Sequence, residues 1–239
     1  KPYVPDNIIF SFDDFEKALN KPHKEGVPYP FPTLNKMTYG IRTGEVVLLK
    51  APEKVGKTSL MHAFLQQILR RTDDNVAAIF LEEPKHRLLQ SLAGLEIGRP
   101  VHLPSSNCGE TEILAAVKSL VRKDERLHIY DNFGATDPDV FLDLVRFLVA
   151  GRLCKYVLFD HISIGCSVGH QTDERRVIEY LANRLEMLVK ELDFSLIMVS
   201  HVNDFGQTRG SHYLTKVADI TIDCARDTLS VDEEERRRI

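Results

Sequence analysis

The sequence predicts an α/β domain: a mostly parallel central sheet with helices on both faces. Three observations carry this. The apolar run Glu45-Val-Val-Leu-Leu-Lys50 leads into Ala51-Pro-Glu-Lys-Val-Gly-Lys-Thr58. A helical stripe follows at Leu60, Met61, Phe64, Leu65, Ile68 and Leu69. Much later, Tyr156-Val-Leu-Phe-Asp160 is an apolar run that ends in a carboxylate. Strand, glycine-bearing loop and helix, in that order, make a cradle for phosphate, because backbone N–H groups and a helix N-terminus converge on one point.

In chain order, residues 1–40 come first and hold six of the eleven prolines. That density marks a linker or docking arm rather than core. Within it, Ser11-Phe-Asp-Asp-Phe-Glu-Lys-Ala-Leu19 has the pattern of a short capped helix. Residues 41–239 then form the α/β domain. The expected strands are 46–50, 76–81, 127–130, 156–160, 196–200 and 219–223. The expected helices are 57–71, 84–97, 110–122, 138–150 and 173–192, the last with Val177, Ile178, Leu181, Leu185, Leu188, Val189 and Leu192 on one face. The closing block Asp232-Glu-Glu-Glu-Arg-Arg-Arg-Ile239 reads as a solvated connection, leading toward strands beyond this chain.

Composition sets limits. The chain has 239 residues, 43% hydrophobic and 28% charged, enough for one sizeable core. A formal net charge of −4 excludes a surface that binds nucleic acid all over. Any such contact must be local or built by several subunits. Cys108, Cys154, Cys166 and Cys224 show no Cys-x-x-Cys spacing, which argues against zinc and disulfides and suits a reducing cytoplasm. No segment reads as a membrane span or a signal peptide.

Candidate chemistry follows from position. Glu53, Lys54, Val55, Gly56, Lys57, Thr58 and Ser59 form the phosphate loop. Lys57 is placed for the β- and γ-phosphates and the Thr58 hydroxyl for Mg²⁺. Ala51 stands where the usual pattern begins with glycine. Asp160 ends its strand at the mouth of the sheet, where a carboxylate would hold a Mg²⁺ water opposite Thr58. Ile79-Phe-Leu-Glu-Glu83 ends another strand with two carboxylates. Glu82 is the candidate general base for an attacking water. Glu83, facing the other way by alternation, is expected to make a structural bond. Leu196-Ile-Met-Val-Ser-His201 ends a third strand, with His201 placed to hydrogen-bond the γ-phosphate. His161 takes a supporting position beside Asp160.

Taken together, several segments resemble one family. Residues 31–45, the phosphate loop, Phe80-Leu-Glu-Glu83, His128-Ile-Tyr-Asp-Asn-Phe133, Phe159-Asp-His-Ile-Ser163, Thr172-Asp-Glu-Arg-Arg176, Val199-Ser-His-Val202 and Arg209-Gly-Ser211 follow the order seen in the helicase domain of phage-type primase-helicases and of the mitochondrial helicase Twinkle. These are DnaB-like hexameric helicases with a RecA-like core, and the resemblance spans residues 30–227. It implies a RecA-like P-loop NTPase that burns ATP or dTTP with Mg²⁺ and moves on single-stranded DNA as a homo-hexameric ring. The alternatives are a RecA-like recombinase or loader, and a nucleotide-gated assembly module with little turnover.

Position by position, the resemblance makes Glu82 the base, Asp160 the metal acid, His201 the γ-phosphate sensor and Arg226 a neighbour of the nucleotide base. Gly169 and His170, in the loop 165–171, together with Arg209 and Lys216, would face DNA. The resemblance implies a cytoplasmic protein, in the host cytoplasm if phage-encoded, ahead of the mitochondrial matrix. Three departures stand out. The family's arginine finger lies past the match to Arg226, so it is expected outside a chain that stops at Ile239. The loop 203–208 is short, with Arg209 its nearest cation. Thr215-Lys216 stands where an Arg-Gln type pair is usual.

Overall fold

Strands β1 (Val46–Ala51), β2 (Asn75–Phe80), β3 (Leu127–Tyr130), β4 (Cys154–Asp160), β5 (Ser195–His201) and β6 (Ile220–Asp223) form one sheet in the order β3-β2-β4-β5-β1-β6. Every pairing within this sheet is parallel among the described residues. The computed structural model describes residues 11–20, 24–52, 55–131, 137–162, 174–201 and 212–225. The helices are α1 (Phe12–Leu19), α2 (Pro32–Thr38), α3 (Lys57–Arg71), α4 (Lys85–Ile97), α5 (Glu110–Val121), α6 (Pro138–Arg146), α7 (Glu174–Leu192) and α8 (His212–Val217). A π-helical turn, Phe147–Gly151, extends α6.

Parallel strands are linked by helices that cover both faces, so their residues are apolar on both sides. Alternation then sorts them into two cores. Val46, Leu48, Ala77, Ile79, Val157, Phe159, Leu196 and Met198 pack with α6, α7 and α8. Val47, Leu49, Val76, Ala78, Tyr156, Leu158, Ile197 and Val199 pack with α3 and with Leu88, Leu92 and Leu120 of α4 and α5. The six strands fall within two residues of their expected bounds. The five helices expected from Lys57 onward are present as α3 to α7. α2 and α8 were not expected, because seven and six residues are too few to show a helical period.

Part of the proline-rich stretch belongs to the core, which corrects the reading of all of residues 1–40 as an arm. Val27 pairs with Ile41 through N–H···O bonds of 2.9 and 2.8 Å. The Tyr29 ring stands edge-on to Phe64 of α3 at 4.9 Å. Asn35 fixes that strip by accepting from the Tyr29 N–H at 2.6 Å and donating to its carbonyl at 2.9 Å. α1 forms as its cap predicts, with Ser11 Oγ accepting from the Asp14 N–H at 3.1 Å, and it buries none of its residues.

One buried charge organises the far end of the helices. Arg126 is fully buried. Its guanidinium donates to the carbonyls of Leu69 (2.8 Å), Leu120 (3.1 Å), Val121 (3.2 Å), Asp74 (3.2 Å) and Thr72. It thereby satisfies the last carbonyls of α3 and α5, which no helical N–H can reach. Burial, followed by the nearby Arg122, lowers its pKa from the ordinary arginine value. Replacing it leaves several buried carbonyls without a donor. Arg126→Met is therefore expected to destabilise the fold by about 3 kcal/mol or more. Arg126→Lys should recover less than half, since a single ammonium cannot copy the guanidinium fork. Urea denaturation of the three proteins measures both effects.

Candidate functional site

The site lies where the strands end. β1 delivers the chain to Ala51, and the loop that follows closes at Gly56, whose φ of 101° is in the region that favours glycine. Gly56 is the N-cap of α3 and brings no side chain to the N–H groups of the first turn. Those donors and the positive end of the helix face the loop, as an anion site requires. Lys57 is only 7% exposed. Its Nζ donates to the carbonyls of Ala51 (2.9 Å) and Pro52 (2.7 Å), which holds the ammonium over the loop.

Alternation along β4 aims its last residue. Tyr156 and Leu158 belong to the α3 side of the sheet, so Asp160 faces the same way. There the Thr58 hydroxyl donates to Asp160 Oδ2 at 2.8 Å. Burial raises the Asp160 pKa above its ordinary 3.8, an effect opposed by the Thr58 hydrogen bond and by His161. A buried carboxylate beside a hydroxyl offers hard oxygen donors whose charge calls for a cation, and the set fits Mg²⁺. Lys57 and the N-terminus of α3 fit the phosphates of the nucleotide that would accompany it.

The two carboxylates after β2 differ. Leu81 is pinned to β4 through its N–H, which donates to the Asp160 carbonyl at 2.8 Å. Glu82 is 56% exposed, with Oε1 lying 3.5 Å from His161 Nε2. Glu83 meets His62 of α3, Oε2 to Nε2, at 2.7 Å. The strand stops at Phe80 and residues 81–83 bend, so Glu83 turns toward α3 instead of alternating away from it. His201 ends β5, paired in register with Ala51 at the start of the loop.

The structure therefore brings Gly56, Lys57, Thr58, Asp160 and Glu82 to one edge, with the end of β5 beside them. Val55 lies in the loop before Gly56, and Ser59 stands in the first turn of α3. Lys216 lies exposed in the last turn of α8. Glu53, Lys54, Gly169, His170, Arg209 and Arg226 lie outside the described residues. Burial pushes the Cys154 thiol up to about 12, which leaves it inert as a nucleophile. Among the described residues, no helix is long and apolar enough to cross a membrane. Sequence reasoning missed His62. Its signal was a histidine between Met61 and Phe64 in the apolar stripe of α3.

Comparison with known proteins gives a family for the chain and, from solved structures, its fold. Residues 26–221 match the family described as DnaB-like helicase C terminal domain. The DNA helicase/primase of Enterobacteria phage T3 is 27% identical over 219 residues, covering 85% of this chain and 37% of that protein. The replicative DNA helicase DnaC of Bacillus subtilis (strain 168) is 23% identical over 206 residues, covering 84% of this chain and 45% of its own length. A solved DnaB-like replicative helicase, described with its interactions with primase, superposes with a TM-score of 0.74 at 19% identity, over 90% of this chain and 56% of that one. The chain thus spans less than half the length of the curated relatives it matches.

The buried carboxylate has a measurable consequence. A carboxyl whose pKa is raised by folding favours the folded state while protonated, and that advantage is lost as pH rises through the folded pKa. Asp160→Asn keeps an oxygen for the Thr58 hydroxyl but cannot ionise. In metal-free buffer, its stability relative to the unaltered protein should climb as pH rises above about 4, the unfolded carboxylate range, and then level off. Denaturant midpoints across pH check this, and Mg²⁺ with nucleotide should reverse the order.

Proposed function

This chain belongs to the DnaB-like helicase C-terminal domain family, and we propose that it is the NTP-hydrolysing motor of a replicative DNA helicase, moving on single-stranded DNA as a homo-hexameric ring. The observation that carries this is the 2.8 Å contact between Thr58 and Asp160 beside the buried Lys57 ammonium. A hydroxyl–carboxylate pair suited to a metal and a lysine suited to phosphate meet at one edge of the sheet, as nucleoside triphosphate hydrolysis requires.

Each residue has a role in this reading. Lys57 and the first-turn N–H groups of α3 bind and orient the phosphates of ATP or dTTP. Thr58 and Asp160 hold Mg²⁺, which supplies positive charge against the phosphate oxygens. Glu82 orients a water and takes its proton, and its exposure leaves that carboxylate reachable. His201, at the end of β5 beside the loop, reports the state of the γ-phosphate. Arg226 contacts the nucleotide base, and Gly169, His170, Arg209 and Lys216 contact DNA. A neighbouring subunit completes each site with a cation.

Light scattering and hydrolysis assays test the proposal together. A non-hydrolysable NTP should raise the mass to that of a hexamer, and single-stranded DNA should stimulate hydrolysis. Glu82→Gln should lower turnover by about 10²- to 10⁴-fold while leaving nucleotide affinity nearly unchanged. A ring whose hydrolysis ignores DNA contradicts the helicase reading. Turnover that survives Glu82→Gln contradicts the assignment of the base.

A further inference from the structure

The face of α3 toward the end of β2 and toward α4 is polar where packing alone would make it apolar. Ser59, His62 and Gln66 recur along it at helical spacing, and His62 and Gln66 are buried. Burying a polar side chain costs free energy unless it is bonded. Each of the two has an acidic partner on the neighbouring element. Gln66 Nε2 donates to Glu96 Oε2 of α4 at 3.1 Å. His62 Nε2 meets Glu83 Oε2 at 2.7 Å, across a sequence separation of 21 residues.

The His62 ring also packs on Phe80, with centroids 5.3 Å apart and planes inclined by 38°. Phe80 is the last residue of β2 and Glu83 the last of the bend. One ring therefore holds the short turn on both sides of Leu81 and Glu82. Glu82 has little hold of its own, since it is largely exposed and its 3.5 Å approach to His161 is long for a hydrogen bond. Its aim is set by the backbone of the turn.

We infer that His62 is a positioning residue for hydrolysis: its contacts with Glu83 and Phe80 fix the turn that aims Glu82, and so couple the phosphate-loop helix to the general base. The inference rests on the hydrolase reading above. It gives α3 a second task, because the helix that starts at the phosphates also carries, one turn later, the group that steadies the base.

Single-turnover hydrolysis at saturating Mg²⁺ and NTP is measured for His62→Ala, His62→Gln, Glu83→Ala and the His62→Ala/Glu83→Ala double variant. Affinity for a non-hydrolysable NTP and thermal unfolding are measured alongside. His62→Ala should lower the rate about ten- to hundredfold, the scale of a small misplacement of a reacting group. Its affinity should stay within about threefold, the split that marks a loss confined to the chemical step. His62→Gln, whose amide can still donate to Glu83, should regain most of the rate. The double variant should lose no more than the worse single.

Glu83→Ala, altered at the more exposed end of the bond, answers the question should His62→Ala fail to fold. A rate within about twofold of the unaltered protein in both single variants overturns the proposal. So does a loss that His62→Gln fails to rescue, or one that falls equally on affinity. An unaltered protein that does not hydrolyse NTP at all overturns the hydrolase reading itself, and this inference with it.

Discussion

Thr58 and Asp160 meet across a gap that the sheet creates. In the order β4-β5-β1, a whole strand separates the one that delivers the phosphate loop from the one that ends in Asp160. The first turn of α3 must lean over the end of β5 for the 2.8 Å hydrogen bond to form. That lean is fixed by packing. Leu60, Met61, Phe64, Leu65, Ile68 and Leu69 seat the helix on one face of the sheet, and Arg126 ties its last carbonyls to those of α5. Asp160 is held in the buried position that its own charge resists, and its raised pKa reports that resistance. The fold sets a carboxylate where a cation would relieve it.

The parallel topology explains why the remaining chemistry gathers at the same edge. The six described strands of the sheet run the same way, so their ends face the same side. Phe80 pairs with Asp160 and Ala51 with His201. Glu82 follows the first pair and the phosphate loop follows the second. These residues, far apart in the chain, become neighbours through strand register.

Most of this frame was legible in the sequence because the strands are continuous apolar runs and α3 carries a clear stripe. Asp160 was legible for the same reason: four apolar or aromatic residues precede one carboxylate. What escaped were contacts between distant residues. Arg126 looks like a surface arginine until α3 and α5 are seen to end around it, and His62 looks like a break in a stripe until Glu83 bends toward it. Prolines made residues 1–40 look like a linker throughout. The spacing of Val27, Tyr29 and Ile41 has no period that shows they join the core beside α3. Local pattern reports local structure, and these groups act through tertiary contacts.

In the proposed motor, Thr58 and Asp160 act as one cation-binding unit for a bound nucleotide. Calorimetric titration of Mg²⁺ and a non-hydrolysable NTP into the unaltered protein, Thr58→Val, Asp160→Asn and the double variant separates one shared cation site from two independent contacts. If the two side chains work as a unit, the double variant loses far less affinity than the sum of the two single losses. Losses that add to within about 0.5 kcal/mol, as independent sites do, would contradict a shared cation site.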